Sequence, residues 1–169
     1  ATQTPVGAAG SQPLPDSQLA RFVVCLSIGY PSRENQMQII HAQRYSNPLD
    51  SINTVSNAQN VLETQQFLSS VRIDDAVLGY LIDLCEATRH LPLVELGVSP
   101  RGVSALVRMA RARAVLSERD FVVPDDIQYV FPDVCTHRIT LRPQARVEGV
   151  TAHDLLRQVL QQIKPPAVY

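Results

Sequence analysis

The side chains best suited to chemistry in this sequence are arginines. Lys164 is the only lysine, so nearly all of the positive charge sits on guanidinium groups. These are planar, permanently charged and shaped to grip phosphate or carboxylate oxygens in pairs. A lone arginine is usually a solvated or salt-bridged surface residue, and two positions stand apart from that plain reading. Arg101 follows Ser99-Pro100, a side-chain cap with proline at the first helical position, which places it in the opening turn of a helix. At about 100 degrees per residue, Arg108 points nearly the same way, while Val103, Leu106, Val107, Ala110 and Ala114 gather on the opposite side. Arg101 therefore projects away from its own core at a helix N-terminus, where free N–H groups favour a phosphate or an acidic partner. Arg21 ends a short helix just before an apolar run, where open α/β domains carry ligands and neighbouring-subunit contacts. The sequence holds neither GxxxxGK[ST] nor GxGxxG, so any phosphate bound by these arginines needs a cradle from elsewhere.

Other reactive types lack the company they need. His41, His90, His137 and His153 are scattered, and Cys25, Cys85 and Cys135 lie too far apart in sequence for a local zinc pair. The cysteines read as reduced, buried apolar residues. Asp74-Asp75 and Asp125-Asp126 sit at helix starts, where carboxylates cap free N–H groups, and Ser99 and Ser104 have no nearby histidine to activate them. The 15 basic and 16 acidic residues give a net charge of -1, which supplies no overall field for nucleic acid or anionic lipid. No apolar run approaches the roughly 18 residues of a membrane span, and no signal-peptide pattern opens the chain. The expectation is a cytoplasmic protein with no nucleic-acid or membrane partner.

The elements that must position Arg21 and Arg101 follow from periodicity. A proline-rich loop leads to a short helix begun at Asp16, then to an apolar run, Phe22 to Ile28, that suits a strand buried on both faces. Beyond Gly29 to Pro31 the period becomes helical. Helices are predicted from Ser32 to about Ser46, from a cap at Ser56, from Asp74 or Asp75, from Ser99 to about Ser117, from Pro124, and from a capping pair at Thr151 and Asp154. This predicts a mainly α chain: residues 1–31 as a two-strand remnant of an α/β nucleotide-binding core, and 32–169 as a helical bundle. Two central strands make no sheet alone, so the missing neighbours are expected upstream.

Five segments taken together, ATQTP, PLPDSQLARF, SIGYPSRE, LGVSPRG and RDFVVPDDIQ, resemble the MoxR-type AAA+ ATPases in order and spacing across almost the whole chain. The resemblance implies the end of the nucleotide-binding core followed by the helical lid. It also implies ATP and Mg2+ as cofactors of the full-length protein, a homo-oligomeric ring, and partners that are client or von Willebrand factor A domain proteins. The implied role is chaperone-like, in maturation or metal insertion. By the same resemblance Thr4 closes the sensor-1 strand, Arg21 is the finger reaching a neighbour's nucleotide, and Arg101 is the sensor-2 arginine over its own. Three positions depart from the family pattern: Thr4 replaces the usual asparagine, Ala20 replaces an acidic residue, and Val6 to Gly10 lack the usual acidic residues. Without a phosphate loop of its own, the chain alone is expected to bind ATP negligibly and to be inactive.

Two other classes fit less of the sequence. A non-catalytic helical adaptor would use exposed helix faces. A nucleic-acid module would insert the helix carrying Arg101 to Arg113 into a groove, but four Phe, five Tyr and no Trp offer few stacking platforms.

Overall fold

Helix signals and apolar stripes coincide along most of this chain, and a computed structural model shows what they build; it describes residues 1–2, 14–43 and 47–167. The helices are α1 (Asp16–Leu19), α2 (Arg33–Gln43), α3 (Ala58–Ser70), α4 (Asp75–His90), α5 (Pro100–Leu116), α6 (Pro124–Cys135), α7 (Pro143–Val147) and α8 (Ala152–Gln162). Two short strands, β1 (Val94–Leu96) and β2 (Thr140–Leu141), pair antiparallel. Packing divides the chain into one unit of Ala1–Cys25 with Ser70–Tyr169, and a second of Leu26–Ser69.

The core of the first unit lies among α4, α5, α6 and α8. Leu81, Leu84 and Cys85 meet Leu106, Ala110 and Ala114 from α5, Ile127, Phe131 and Val134 from α6, and Leu156 and Val159 from α8. Each large side chain so buried contributes about 1.5–3 kcal/mol. Alanines at 105, 110 and 114 leave room for α5 to pack most extensively on α6. The predicted starts hold locally. Asp74 accepts from the Ala76 N–H at 2.9 Å, Ser99 from the Gly102 N–H at 3.4 Å, and Thr151 and Asp154 form a reciprocal capping box. Pro132 sits inside α6, and the Thr136 hydroxyl donates to its carbonyl at 2.7 Å where the helix tightens into a 3-10 turn, Thr136–Arg138.

In the second unit, Ser32 receives the Asn35 N–H at 3.2 Å ahead of α2. The cap of α3 is Asn57, which accepts from the Asn60 N–H at 2.9 Å, in place of the predicted Ser56. The stripes of α2 and α3 do not close a core of their own: Met37, Ile40, Val61 and Leu62 are all exposed.

Other expectations are corrected. No strand forms over Phe22 to Ile28, and Ile28 is 96% exposed. A strand needs a neighbouring ladder, and among the described residues none lies beside this segment; the carbonyls of Phe22 and Val23 go to side chains instead. Cys25 is exposed, whereas Cys85 and Cys135 are buried as read, the Cys135 thiol pushed well up by that burial. The small β1–β2 sheet was not anticipated, because three and two residues show no period.

Candidate functional site

The start of α5 is pinned before any charge is considered. The Thr88 hydroxyl donates to the Cys85 carbonyl at 2.6 Å and accepts the Val98 N–H at 2.9 Å, and Arg89 Nε donates to the Val98 carbonyl at 2.8 Å. Gly97 lies so close to α4 that a Cβ there would stand 2.7 Å from the Arg89 backbone nitrogen. Val98, Ser99 and Pro100 thus fix where Arg101 emerges, and Arg108 follows two turns later on the same exposed face.

Arg21 is held from the other side. After α1 the chain passes over the 3-10 turn, where Arg138, only 9% exposed, spreads its guanidinium across main-chain carbonyls. Its Nη1 donates to the Ala20 carbonyl and its Nη2 to that of Phe22, both at 2.5 Å, with a longer contact to Val23 at 3.4 Å. The Nε donates to the Val134 carbonyl at 2.8 Å, anchoring the group to α6. His137 Nε2 lies 3.0 Å from the same Phe22 oxygen, and the Cys25 N–H donates to the Asp133 carbonyl at 2.9 Å.

These supports bring Arg21, Arg101, Arg108 and Arg138 around one open cleft of about 290 Å³, floored by Ala20, Val23 and Ala105. Among the described residues no carboxylate lines it. The two ion pairs among the described residues, Arg72 with Asp120 and Arg119 with Asp126, involve none of the four arginines. Burial lowers the Arg138 guanidinium from its usual value, and the charges of Arg101 and Arg108 push the same way, against an opposing influence from Cys135. Such a cluster concentrates field lines and favours a multiply charged anion. At an effective dielectric of about 20, a unit negative charge 4 Å from one guanidinium gains about 4 kcal/mol before desolvation.

Sequence spacing found Arg21 and Arg101 and aligned Arg108 with the latter. Arg138 was missed, because its partners beside Arg21 lie 115 to 118 residues away along the chain. Thr4 and the loop of Val6 to Gly10 lie outside the described residues. Asp126 does more than cap α6. Its carboxylate accepts from the Val123 N–H at 2.9 Å and takes Arg119 bidentately at 2.6 and 2.8 Å.

The family model for the AAA lid domain matches residues 86–159, which hold Arg101, Arg108 and Arg138. The Mycobacterium tuberculosis protein Chaperone MoxR1 is 29% identical over 177 residues, covering 99% of this chain and 46% of its own length. A solved structure from Cytophaga hutchinsonii, described as a candidate ATPase, superposes with a TM-score of 0.90 over 98% of this chain at 28% identity. The chain belongs to the MoxR-type AAA+ ATPases. It matches the C-terminal, lid-bearing portion of that architecture. YeaC of Bacillus subtilis is more similar in sequence, at 40% identity over 166 residues, covering 98% of this chain and 52% of that protein. The chain spans about half the length of the curated relatives it matches. Within this MoxR-type chain, the cleft joins lid residues to Arg21, which precedes the lid match. No helix among the described residues is long and apolar enough to cross a membrane.

Proposed function

We propose that the cleft is the arginine face of an ATP site in the full-length protein, with Arg21 and Arg101 contacting the terminal phosphates. The observation that carries this reading is that four arginines, three of them without a carboxylate partner and Arg138 with its donors turned to main-chain carbonyls, line one cleft with no carboxylate among its described lining residues. Guanidinium donors fit the oxygens of a transferring phosphoryl group, where an added arginine is worth about 10³ to 10⁵ in rate, or roughly 4–7 kcal/mol of barrier. Magnesium has no ligand among the cleft residues, so in this reading it is held with the phosphate loop by another part of the assembly. Thr4, by resemblance, would orient the attacking water. The domain reading that goes with this function takes residues 1–31 as the end of the core and 32–169 as the lid. The protein would work in a cytoplasmic homo-oligomeric ring, remodelling or metallating client proteins, with von Willebrand factor A domain proteins as partners.

Because Arg21 and Arg101 line the same cleft, they are proposed to serve the same nucleotide, rather than a neighbour's and their own respectively. Mixed rings test this. Arg21→Ala and Arg101→Ala subunits of the full-length protein are each combined with subunits whose phosphate-loop lysine is replaced. Alone, each variant should be inactive. In the mixtures the two should behave alike: both regain hydrolysis if the cleft faces a neighbour's nucleotide, and neither does if it faces its own. Rescue of one variant without the other would refute a shared phosphate.

A further inference from the structure

The guanidinium of Arg138 occupies an unusual place: it borders the cleft, yet its hydrogen bonds run away from it, into the backbone on either side of Arg21. We infer that Arg138 is a positioning residue that fixes Arg21 in register with Arg101, so that the two arginines present one preformed anion site. The inference rests on the proposed phosphate-binding role of the cleft.

The geometry supports it from three directions. The segment carrying Arg21 has no strand partner among the described residues. Its tertiary backbone bonds come from the 3-10 turn and the end of α6: Arg138 to the carbonyls of residues 20, 22 and 23, His137 to that of residue 22, and the Cys25 N–H to Asp133. Arg138 is in turn braced by its Nε bond to Val134. Its aliphatic stem passes against the first turn of α5: a Cβ at Gly102 would lie 3.2 Å from Arg138 Cδ, as well as 2.5 Å from Val98 Cγ1. Gly102 is the neighbour of Arg101. One side chain therefore touches the support of both cleft arginines. Only a planar group with donors along several directions can hold Val134, Ala20 and Phe22 together; an ammonium at the end of a lysine is a point charge without that fork.

Arg138→Lys separates positioning from charge. Two readouts are taken on the protein: amide exchange, and titration with tripolyphosphate followed by NMR in low salt. In the Lys variant the amides of Arg21, Phe22 and Cys25 should exchange roughly 10- to 100-fold faster, as befits the loss of charge-assisted bonds, while those of Leu106 and Ala110 in α5 stay protected. Tripolyphosphate should bind this variant as weakly as it binds Arg21→Ala. Adding Arg138→Lys to Arg21→Ala should cost nothing further, whereas adding it to Arg101→Ala should cost its full factor.

Unchanged exchange around Arg21 would overturn the inference whatever happens with the anion. Wild-type affinity in Arg138→Lys, with loss only in Arg138→Gln, would show that the residue supplies charge rather than position. An undiminished loss in the Arg21→Ala background would reduce Arg138 to a general structural role. If wild-type protein shows no response even to millimolar tripolyphosphate in low salt, where an arginine cluster without a phosphate loop should still attract a multiply charged anion weakly, the phosphate reading of the cleft fails, and the exchange result alone then upholds or overturns the clamp.

Discussion

Thr88→Val is the most demanding test of how Arg101 is placed. Thr88 is fully buried, and its hydroxyl both donates to the Cys85 carbonyl and receives the Val98 N–H. Valine has nearly the same shape, so no cavity opens and the change isolates the hydroxyl. Leaving the buried Val98 N–H without an acceptor costs about 1–3 kcal/mol, and the lost donor bond about 0.5–1.5 more. The extra buried methyl returns about 0.8 kcal/mol. The net expectation is a destabilisation of about 1–4 kcal/mol, at about 4 °C per kcal/mol for a unit of this size. Urea unfolding gives the magnitude, and amide exchange at Val98 gives the cause. Thr88→Ser is the control: it gives up a methyl but keeps the hydroxyl, so Val98 should remain protected there and lose protection only in Thr88→Val. Because Val98 precedes the cap of α5, the Val variant should also broaden the Arg101 resonances. A Thr88→Val protein as stable as wild type, with Val98 still protected, would refute the reasoning.

Asp126→Ala should destabilise by about 2–4 kcal/mol, since it strips a buried carboxylate from Arg119 and from the Val123 N–H; the lower part of that range applies because the Arg119 side chain, 26% exposed, can turn to water. Arg119→Ala combined with it should be strongly non-additive by urea titration, and independent effects would show that the pair is not a unit. Burial holds the His137 imidazole below its ordinary value against the opposing influence of its bond to the Phe22 carbonyl. Its folded pKa is therefore depressed, and the stability tied to its neutral form is present above the unfolded value of about 6.5 and is lost as pH falls below it. The urea midpoint should drop from pH 7 to pH 5 in wild type and drop less in His137→Gln; equal slopes would remove His137 from the account.

Helix positions were legible wherever a cap, a stripe and a stop agreed. Ser99-Pro100 and Thr151 with Asp154 carry all three, and their helices begin where the residues say. Phe22 to Ile28 misled because an apolar run records only that a segment avoids water in some context, and here its carbonyls meet Arg138 rather than a ladder. Arg21 and Arg101 were visible because the turn and the helix start that carry them are local. Their meeting in one cleft was not, since it depends on Arg138 reaching across more than a hundred residues. Ser56 lost the cap of α3 to Asn57, a choice between adjacent good cappers that spacing alone does not decide.

Every carbonyl that Arg138 grips belongs to the main chain, and main chain is the same in all twenty residues. The side chains at 20, 22 and 23 are thereby released from the task of holding their own loop. Ala20 can stand where the family usually has an acid without loosening the grip. Variation along this segment is decoupled from its placement, whereas Arg138 and the hydrogen atom that serves as the side chain of Gly102 carry constraint for the whole strap. In a set of related sequences, drift should therefore concentrate on the held residues and spare the one that holds them.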